Sequence, residues 1–517
     1  MVEQIKQFHP EVKIVFGRSE YPCLYYTDRQ ISAEDAPCSL LNCPHRVDQE
    51  TGQTETSGIS PCPYLWNKYQ AKQGGIVVCT AAFYLFTHLF CGWPEPTGLI
   101  IDEAHQMARV VRNCLSYEIT DYHLNKVINL LREIDEGAAN TLKDFLQTMI
   151  RIARLKPALK PTLLEAYEIR ELMDILVRIN CDELREKIRR AVEKMTISPL
   201  KHQEALKKLA TVVWDLTHYY RSFEFSLPTG QRHPLNYTYA FSKKILEKRE
   251  KVQYQLSIKA YHVAPIIQRI LSPLTIAYSA TIGDADVFGC ETGIKAPFYS
   301  FPSDFPVENT KIFLPIDTPN LAVKARSHRE PTKILGKIAK ACKEFAQADL
   351  RSLVVVISER ERQKFLDRCQ EFEIEAISYG NGRTPKDVAK EFKEGKGRVL
   401  VGTVANYGEG LDLPQKLASV IFFLRPSYPP PDDPGTVFEA RRFGRKRWAL
   451  WNWRVMIESL QVRGRNIRSP EDLGVTFFIS QQFRRFLPSI LPQWLEKSFE
   501  GEITFEEGIK RTIKMLI

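Results

Sequence analysis

The chain has 517 residues, of which 44% are apolar and 26% are charged, and its net charge is +10. These values describe a globular protein of about three or four domains whose mild basicity suits a polyanionic partner. They exclude a membrane-spanning protein, because no run of about 18 uncharged apolar residues occurs. The first residues, MVEQIK, also lack the apolar core of a secretory signal.

Four cysteines near the N-terminus, Cys23, Cys38, Cys43 and Cys62, follow the spacing C-x14-C-x4-C-x18-C. They lie among proline, glycine and polar residues, which cannot build an apolar core, so another element must hold this segment together. The spacing is typical of ligands for a metal ion or an iron–sulfur cluster, and four thiolates satisfy zinc as well as iron. His45 is an alternative ligand. We expect the other seven of the 11 cysteines to be reduced thiols.

Short apolar runs bounded by turn-forming residues predict buried parallel strands along the chain. Charged helical segments at 331–348 and 385–393 lie between several of them. This alternation predicts an α/β fold with two sheets, one before about residue 320 and one after it. The predicted strands are 76–79, 98–101, 275–278, 353–357, 399–401, 420–424 and 475–479.

Residues 116–250 have a different pattern, in which apolar side chains recur at the helical spacing. Prolines at 157, 161 and 199 interrupt this block. It is therefore predicted to be a helical insertion. Its three apolar stripes are Leu124, Val127, Ile128, Leu131 and Ile134; Leu172, Ile175, Leu176 and Ile179; and Leu206, Leu209, Val213 and Leu216.

The acidic box Asp102-Glu103-Ala104-His105 directly follows the predicted strand 98–101. A carboxylate at the carboxyl end of a buried strand can hold Mg²⁺ through water, and its neighbour can orient an attacking water. The alternative interpretation is a solvated acidic turn.

Three further motifs follow in chain order: Ser279-Ala280-Thr281, a glycine-rich segment from 402 to 414, and QVRGRNIR at 461–468. Glycines after a strand free backbone N–H groups for phosphate, and the arginines of the last motif suit the γ-phosphate of a nucleotide. The hydroxyls of the first motif suit a role in coupling hydrolysis to domain movement. Taken alone, the last motif is equally compatible with a basic helix face.

The order of these motifs resembles that of the XPD/DinG group of superfamily 2 iron–sulfur DNA helicases. Residues 17–23 look like that family's entry into the cluster, Cys62-Pro63-Tyr64 like its closing ligand, and 429–434 like its proline-rich turn. The resemblance implies two RecA-like motor lobes with parallel sheets. It divides the chain into a first lobe at 1–115 with an Fe–S insertion at about 17–70, a helical Arch-like insertion at 116–250, the rest of the first lobe at 251–322, and a second lobe at 323–517.

The resemblance also implies the function: a DNA-dependent ATPase and helicase of the DEAH-box type that moves 5′ to 3′ on single-stranded and forked DNA, with a role in DNA repair. Its cofactors would be ATP with Mg²⁺ and a 4Fe–4S cluster held by the four early cysteines. Its place would be the nucleoid in a prokaryote or the nucleus in a eukaryote. The implied catalytic residues are Asp102, Glu103, Arg465 and Arg468; the nucleotide-binding ones His105, Gly402, Glu409, Gly410, Asp412 and Gln461; and the nucleic-acid contacts Arg18, Tyr21, Tyr64 and Thr403.

One element of the family is missing, because no G-x-x-x-x-G-K-[ST] phosphate-binding loop occurs in the sequence. Three explanations remain open: the true start lies upstream, a second polypeptide supplies the loop, or the protein has lost its ATPase and kept DNA binding. The rival functions are accordingly a non-hydrolysing clamp on single-stranded DNA and a zinc-stabilised regulatory subunit.

Overall fold

The structure is a computed structural model that describes residues 2–27, 31–157, 161–226, 237–246, 251–322, 330–408, 411, 413 and 415–517. It divides into two compact units. The first unit comprises Met1–Tyr278, Gly289–Ile294 and Pro430–Gly444, and the second comprises Ser279–Phe288, Lys295–Pro429 and Arg445–Ile517.

The first unit begins with short strands and helices on either side of the cysteine-bearing segment, residues 16–62. Strand β1 pairs in parallel with β2, and β3 pairs in parallel with β8 (Leu274–Ala277). The elements are α1 (Val2–Phe8), β1 (Lys13–Val15), α2 (Pro63–Lys72), β2 (Val77–Cys79), α3 (Ala81–Phe90), β3 (Gly98–Ile101) and α4 (Met107–Cys114).

One face of the β3–β8 sheet is uncovered, which corrects the prediction that these strands are buried. Ile100 lies opposite Ile276 in the parallel register, and Gly98 lies opposite Leu274. The three apolar side chains on this face are 69%, 54% and 64% exposed at Ile100, Ile276 and Leu274. Parallel strands are normally covered on both faces, so the exposure of these three side chains departs from the usual arrangement.

The described part of the predicted helical insertion contains five helices, and its three apolar stripes are buried as expected except at Ile134, which is half-buried. It also carries an antiparallel sheet of order β4-β7-β6-β5, which was not predicted and which extends past residue 250. The elements are β4 (Tyr117–Thr120), α5 (Asp121–Leu131), α6 (Glu136–Leu155), β5 (Thr162–Leu163), α7 (Ala166–Leu176), α8 (Cys181–Glu193), α9 (Gln203–Ser226), β6 (Tyr237–Leu246) and β7 (Lys251–Ala260). Helix α10 (Ala264–Gln268) follows in the first unit, and α11 (Ala285–Thr292) spans the boundary between the two units.

The cysteine-bearing segment packs against the helical block within the first unit. Tyr26, Leu40 and Leu41 are buried in the same apolar core as the helices. The Tyr26 hydroxyl donates a hydrogen bond to the carbonyl of Pro199 at 3.3 Å, and Asn42 donates to Glu193 at 2.8 Å. Whatever orders the cysteine-bearing segment therefore also supports the helical block.

The second unit is built on a seven-stranded, entirely parallel sheet of order β11-β12-β10-β13-β14-β9-β15. Its strands are β9 (Thr310–Phe313), β10 (Ser352–Val356), β11 (Ala376–Ile377), β12 (Val399–Thr403), β13 (Val420–Phe423), β14 (Gly474–Phe478) and β15 (Phe499–Glu500). Its helices are α12 (Glu330–Gln347), α13 (Glu359–Glu371), α14 (Pro385–Lys393), α15 (Val404–Tyr407), α17 (Arg447–Arg463), α18 (Leu487–Ile490) and α19 (Phe505–Leu516). Helix α16 (Pro434–Phe443) lies in the last segment of the first unit.

The four predicted strands of this sheet and both predicted helices are confirmed. The central strands β10, β12, β13 and β14 are buried at every residue, as continuous apolar runs require. The sheet also takes in β9, which the prediction assigned to the first lobe. No helix in the described ranges is long and apolar enough to cross a membrane.

Candidate functional site

The acidic box leaves β3 as a tight turn held against β8. The backbone N–H of Ala104 donates to the carbonyl of Tyr278 at 3.0 Å, and Tyr278 N–H donates to Ile101 at 3.0 Å. Glu103 has φ 50° and ψ 44°, in the left-handed region. That conformation costs a non-glycine residue about 1 kcal/mol, and such strain concentrates at functional sites.

The two carboxylates of the box are exposed, and the box itself organises them. The Glu103 N–H donates to Asp102 Oδ1 at 2.8 Å, while Glu103 Oε2 lies 3.3 Å from Nδ1 of the buried His105. Burial, together with the negative charge of Asp102, raises the pKa of Tyr278, whose hydroxyl lies beside that carboxylate. Mg²⁺ commonly binds one or two carboxylates plus phosphate oxygens, and two exposed carboxylates are the ligand type that such an ion takes from a protein.

A line of hydrogen bonds joins the Ser-Ala-Thr motif to the arginine-rich motif inside the second unit. Gln461 Nε2 donates to Thr281 Oγ1 at 2.8 Å, and Arg465 Nη2 donates to Gln461 Oε1 at 2.8 Å. Arg465 Nη1 then reaches the carbonyl of Leu411 at 2.9 Å. The Gln461 side-chain amide thus binds both the Thr281 hydroxyl and the Arg465 guanidinium.

Helix α17 also seats the residues that follow Thr281. The Trp453 indole N–H donates to the carbonyl of Ile282 at 2.8 Å. Gly283 has φ +68°, and a Cβ there would lie 2.0 Å from Met456 Cε. Glycine is required by both the backbone and the close approach. The segment 279–283 is therefore docked on one helix through Gln461, Trp453 and Met456.

The arginines of the last motif have different surroundings. Arg465 is only 4% exposed, and its Nε donates to Gln461 O at 3.0 Å in addition to the two bonds above. Arg468 is exposed, while its backbone N–H donates to Asp472 at 2.7 Å. Burial lowers the pKa of Arg463 to about 10, and its guanidinium lies 6.0 Å from the Trp494 ring centre. Of the three, Arg468 presents its side chain to solvent.

Gly402 and Thr403 end β12 in a polar cluster. A Cβ on Gly402 would lie 2.1 Å from the Tyr407 ring, so close ring packing requires glycine. Thr403 is buried; its hydroxyl lies 3.1 Å from the Tyr379 hydroxyl, which donates to Glu359 at 2.6 Å. The predicted residues Glu409, Gly410 and Asp412 lie outside the described residues.

The four early cysteines line one cavity in the first unit. Leu24, Tyr25, Ala33, Ala36, Leu41, His45, Arg46 and Leu65 complete its wall. Burial raises the pKa of Cys43 to about 11 and also raises that of Cys38, although Arg18, whose Nη2 lies 3.4 Å from Cys38 Sγ, acts in the opposite direction.

The donor set can be tested against the groups that the spacing suggested. A single zinc ion requires four sulfurs at about 2.3 Å from one centre. Among the described residues, no group of three or more His, Cys, Asp or Glu side chains is arranged to hold one metal ion. The four cysteines share the wall of one cavity, and four thiolates are a ligand set for an iron–sulfur cluster as well as for zinc.

The predicted nucleic-acid contacts near the cysteines are engaged inside the segment. Tyr21 is buried, and its hydroxyl accepts hydrogen bonds from Phe16 N at 3.0 Å and Asn67 Nδ2 at 3.3 Å. Arg18 lies 5.9 Å from the centre of the half-buried Tyr64 ring and donates to the Ala33 carbonyl at 2.6 Å. Their contact with nucleic acid stays a prediction.

The comparisons with known proteins agree with this architecture. Residues 342–498 match the helicase C-terminal domain. An XPD helicase structure superposes with a TM-score of 0.63 at 15% identity, covering 97% of this chain and 88% of that one. The chain has the fold of an XPD-type helicase. Xpd4 of S. tokodaii has a TM-score of 0.50 at 13% identity over 82% of each chain, and no curated protein matches in sequence.

Within this XPD-type fold, the second unit is a RecA-like lobe with its helicase C-terminal domain, and the domain contains Gly402, Thr403, Gln461, Arg465 and Arg468. These positions were predicted from the sequence, but the polar residues that contact the predicted site residues, Tyr278 at Asp102 and Tyr379 at Thr403, were not. Tyr278 immediately precedes Ser279-Ala280-Thr281, so its neighbourhood to Asp102 could have been expected from parallel pairing of the two strands. Tyr379 and Glu359 at Thr403 carried no comparable signal.

Proposed function

We propose that the protein is an ATP-dependent DNA helicase that translocates 5′ to 3′ on single-stranded DNA and opens forked duplexes. The observation that carries the proposal is the hydrogen-bonded line Thr281–Gln461–Arg465. A static scaffold does not require a polar line between two motifs, because apolar packing would serve as well. A motor requires one, since it must transmit the state of its nucleotide.

In this proposal Asp102 holds Mg²⁺ through water and Glu103 orients the attacking water, with His105 fixing the Glu103 carboxylate. Arg468 neutralises charge on the γ-phosphate during transfer. Arg465 acts through Gln461 as a positioning residue, since its donors are already engaged. Gly402, Glu409, Gly410 and Asp412 complete the nucleotide side of the second lobe, and Thr403 contacts the strand.

We further propose that Cys23, Cys38, Cys43 and Cys62 hold a 4Fe–4S cluster. The cluster would cross-link the turns of residues 16–62, in addition to the apolar contacts that Tyr26, Leu40 and Leu41 make with the helical block. Support comes from the shared cavity and from the packing of this segment on the helical block. With Arg18, Tyr21 and Tyr64, the braced segment would line the path of the strand. Anaerobically purified protein should be brown and contain about four iron atoms per chain, whereas stoichiometric zinc would contradict the assignment.

The phosphate-binding loop of this motor would come from outside residues 1–517, either from a longer chain or from a second polypeptide. The uncovered face formed by Ile100, Leu274 and Ile276 supports this, because it belongs to the sheet that carries the acidic box. A strand and helix that carry the loop would cover this face and would also place the loop beside Asp102. The same observation favours a split helicase over a clamp that has lost its ATPase.

Three measurements separate these functions: single-stranded DNA binding, DNA-stimulated ATP hydrolysis, and duplex unwinding. The helicase proposal expects all three from the protein with its completing segment, and a Glu103→Gln variant should keep the first and lose the others. Wild-type protein that binds single-stranded DNA but hydrolyses no ATP would leave the clamp as the function. We place the protein with chromosomal DNA, in the nucleoid of a prokaryote or the nucleus of a eukaryote.

A further inference from the structure

A dense run of basic residues lies outside all of the motifs described above. Residues 441–447, RRFGRKR, contain five basic side chains, and no carboxylate occurs between Glu439 and Glu458. Charged surfaces of folded proteins normally mix both signs. A stretch of this kind is therefore a candidate surface for an anionic partner.

The part of this run that lies in the second unit ends at an ordered pair of tryptophans. Trp448 is 51% exposed, and its ring centre lies 5.1 Å from that of the buried Trp451 at an interplanar angle of 79°. The Arg447 guanidinium lies 5.4 Å from the first ring and 5.7 Å from the second. An edge-on contact and a cation hold Trp448 in place while half of its surface faces solvent.

Helix α17 begins here against the usual rule for helix ends. Its N-cap is Lys446, which makes no side-chain capping hydrogen bond, and its first turn holds no acidic residue. Cations at a helix N-terminus oppose the helix dipole, so Arg445, Lys446 and Arg447 destabilise this end. Residues that destabilise their own helix end are expected where the surface that they form binds a partner.

We propose that Arg445, Lys446 and Trp448 form a binding surface for single-stranded nucleic acid. One base stacks on the exposed indole of Trp448, and the adjoining phosphates are neutralised by Arg445 and Lys446. An acidic polypeptide would satisfy the two charges but would leave the fixed aromatic plane unused. This inference rests on the proposed helicase function and adds a contact with single-stranded nucleic acid that lies outside the helicase motifs.

The test measures binding of fluorescein-labelled oligo-dT to the whole protein by fluorescence anisotropy. Trp448→Ala should weaken binding roughly 5- to 100-fold, the range for loss of one stacked base, while Trp448→Phe should stay within about twofold of wild type. The Phe variant keeps an aromatic plane and so separates stacking from a general effect on folding.

Charge is tested separately through the salt dependence of binding. An Arg445→Ala/Lys446→Ala variant should lower the slope of log K against log salt concentration by about 1.4, or about 0.7 for each lost phosphate contact. The matched control Lys390→Ala/Lys393→Ala removes two exposed cations from α14 and should leave the slope unchanged.

The outcomes distinguish this surface from the function on which it rests. Wild-type protein that binds no oligo-dT would overturn both. Wild-type binding that all three variants at 445–448 retain would overturn the surface alone. Equal weakening by the Ala and Phe variants would refute stacking at Trp448, and full competition by polyglutamate would assign the surface to an acidic polypeptide.

Discussion

The side-chain amide of Gln461 donates a 2.8 Å hydrogen bond to the hydroxyl of Thr281, across 180 residues of sequence. Gln461 also accepts a hydrogen bond from the buried Arg465. The motif at 279–281 and the motif at 461–468, neither of which indicates a function by itself, thus form one polar assembly. Within the second unit, this assembly fixes the segment 279–283, which directly follows the β3–β8 strand pair, to helix α17.

Removing the Thr281 hydroxyl should uncouple the proposed motor. Thr281→Ala leaves the Gln461 amide donor without its partner, at a cost of about 1 kcal/mol in stability. We expect less DNA strand separation for each ATP hydrolysed. Thr281→Ser retains the hydroxyl and should behave like wild type. Parallel losses in the Ala and Ser variants would show that the hydrogen bond is not what matters.

Arg465 and Arg468 should separate stability from activity. Arg465→Ala leaves the acceptors of Gln461 and Leu411 unpaired in a buried site, so unfolding free energy should fall by about 3 kcal/mol. Arg468→Ala removes an exposed side chain and should change stability by less than about 0.5 kcal/mol. Its ATP hydrolysis should fall roughly 1,000-fold. Urea denaturation and phosphate release measure the two effects, and the reverse pattern would refute the assigned roles.

Glu103 should show a conflict between backbone conformation and chemistry. The φ of Glu103 is 50°, a value that glycine adopts at no steric cost. Glu103→Gly should therefore raise the free energy of unfolding by about 0.5–1 kcal/mol while abolishing ATP hydrolysis. Glu103→Ala keeps the unfavourable conformation and should lose activity without gaining stability. A destabilised Gly variant in calorimetry would mean that the side chain contributes more than its conformation costs.

Asp215 in α9 should make the first unit less stable as the pH rises. Burial raises the pKa of this carboxyl to about 7, although a side-chain hydrogen bond with Tyr117 opposes the shift. Between about pH 4 and pH 7 the folded chain holds a proton that the unfolded chain has released, so stability falls across this interval and stays low above it.

Asp215→Asn removes the titrating group and should flatten this dependence. The variant should be more stable than wild type by roughly 2–4 kcal/mol at pH 8, and the difference should shrink towards zero near pH 4. Thermal melts at several pH values measure it. Parallel pH profiles for the two proteins would exclude Asp215 as the source.

The apolar pattern of a segment predicted a buried strand correctly where that strand is covered on both faces. The apolar run at 420–424 predicted a buried central strand, and β13 is one. The same reasoning was wrong for 98–101, because an apolar run reports the burial that a strand needs and cannot report whether the covering layer is present. Ile100 is exposed for that reason.

Other features were missed for different reasons. Strand β7 alternates Val252, Tyr254, Leu256 and Ile258 with polar residues, a period-two signal that the surrounding helical stripes concealed. The bond between Thr281 and Gln461 leaves no local signal, since it depends on how α17 lies against a distant segment. The four cysteines that were predicted as one ligand set do line one cavity, but nothing in their spacing indicated its other wall residues.

The most direct test of the central claim is DNA-stimulated ATP hydrolysis by the tagged protein, purified from its own cells with any bound polypeptide retained. Wild-type protein should hydrolyse ATP faster when single-stranded DNA is added, and Glu103→Gln protein should bind the same DNA without that increase. If DNA binds both forms and stimulates neither, or stimulates both equally, the protein is not a motor that uses this acidic box.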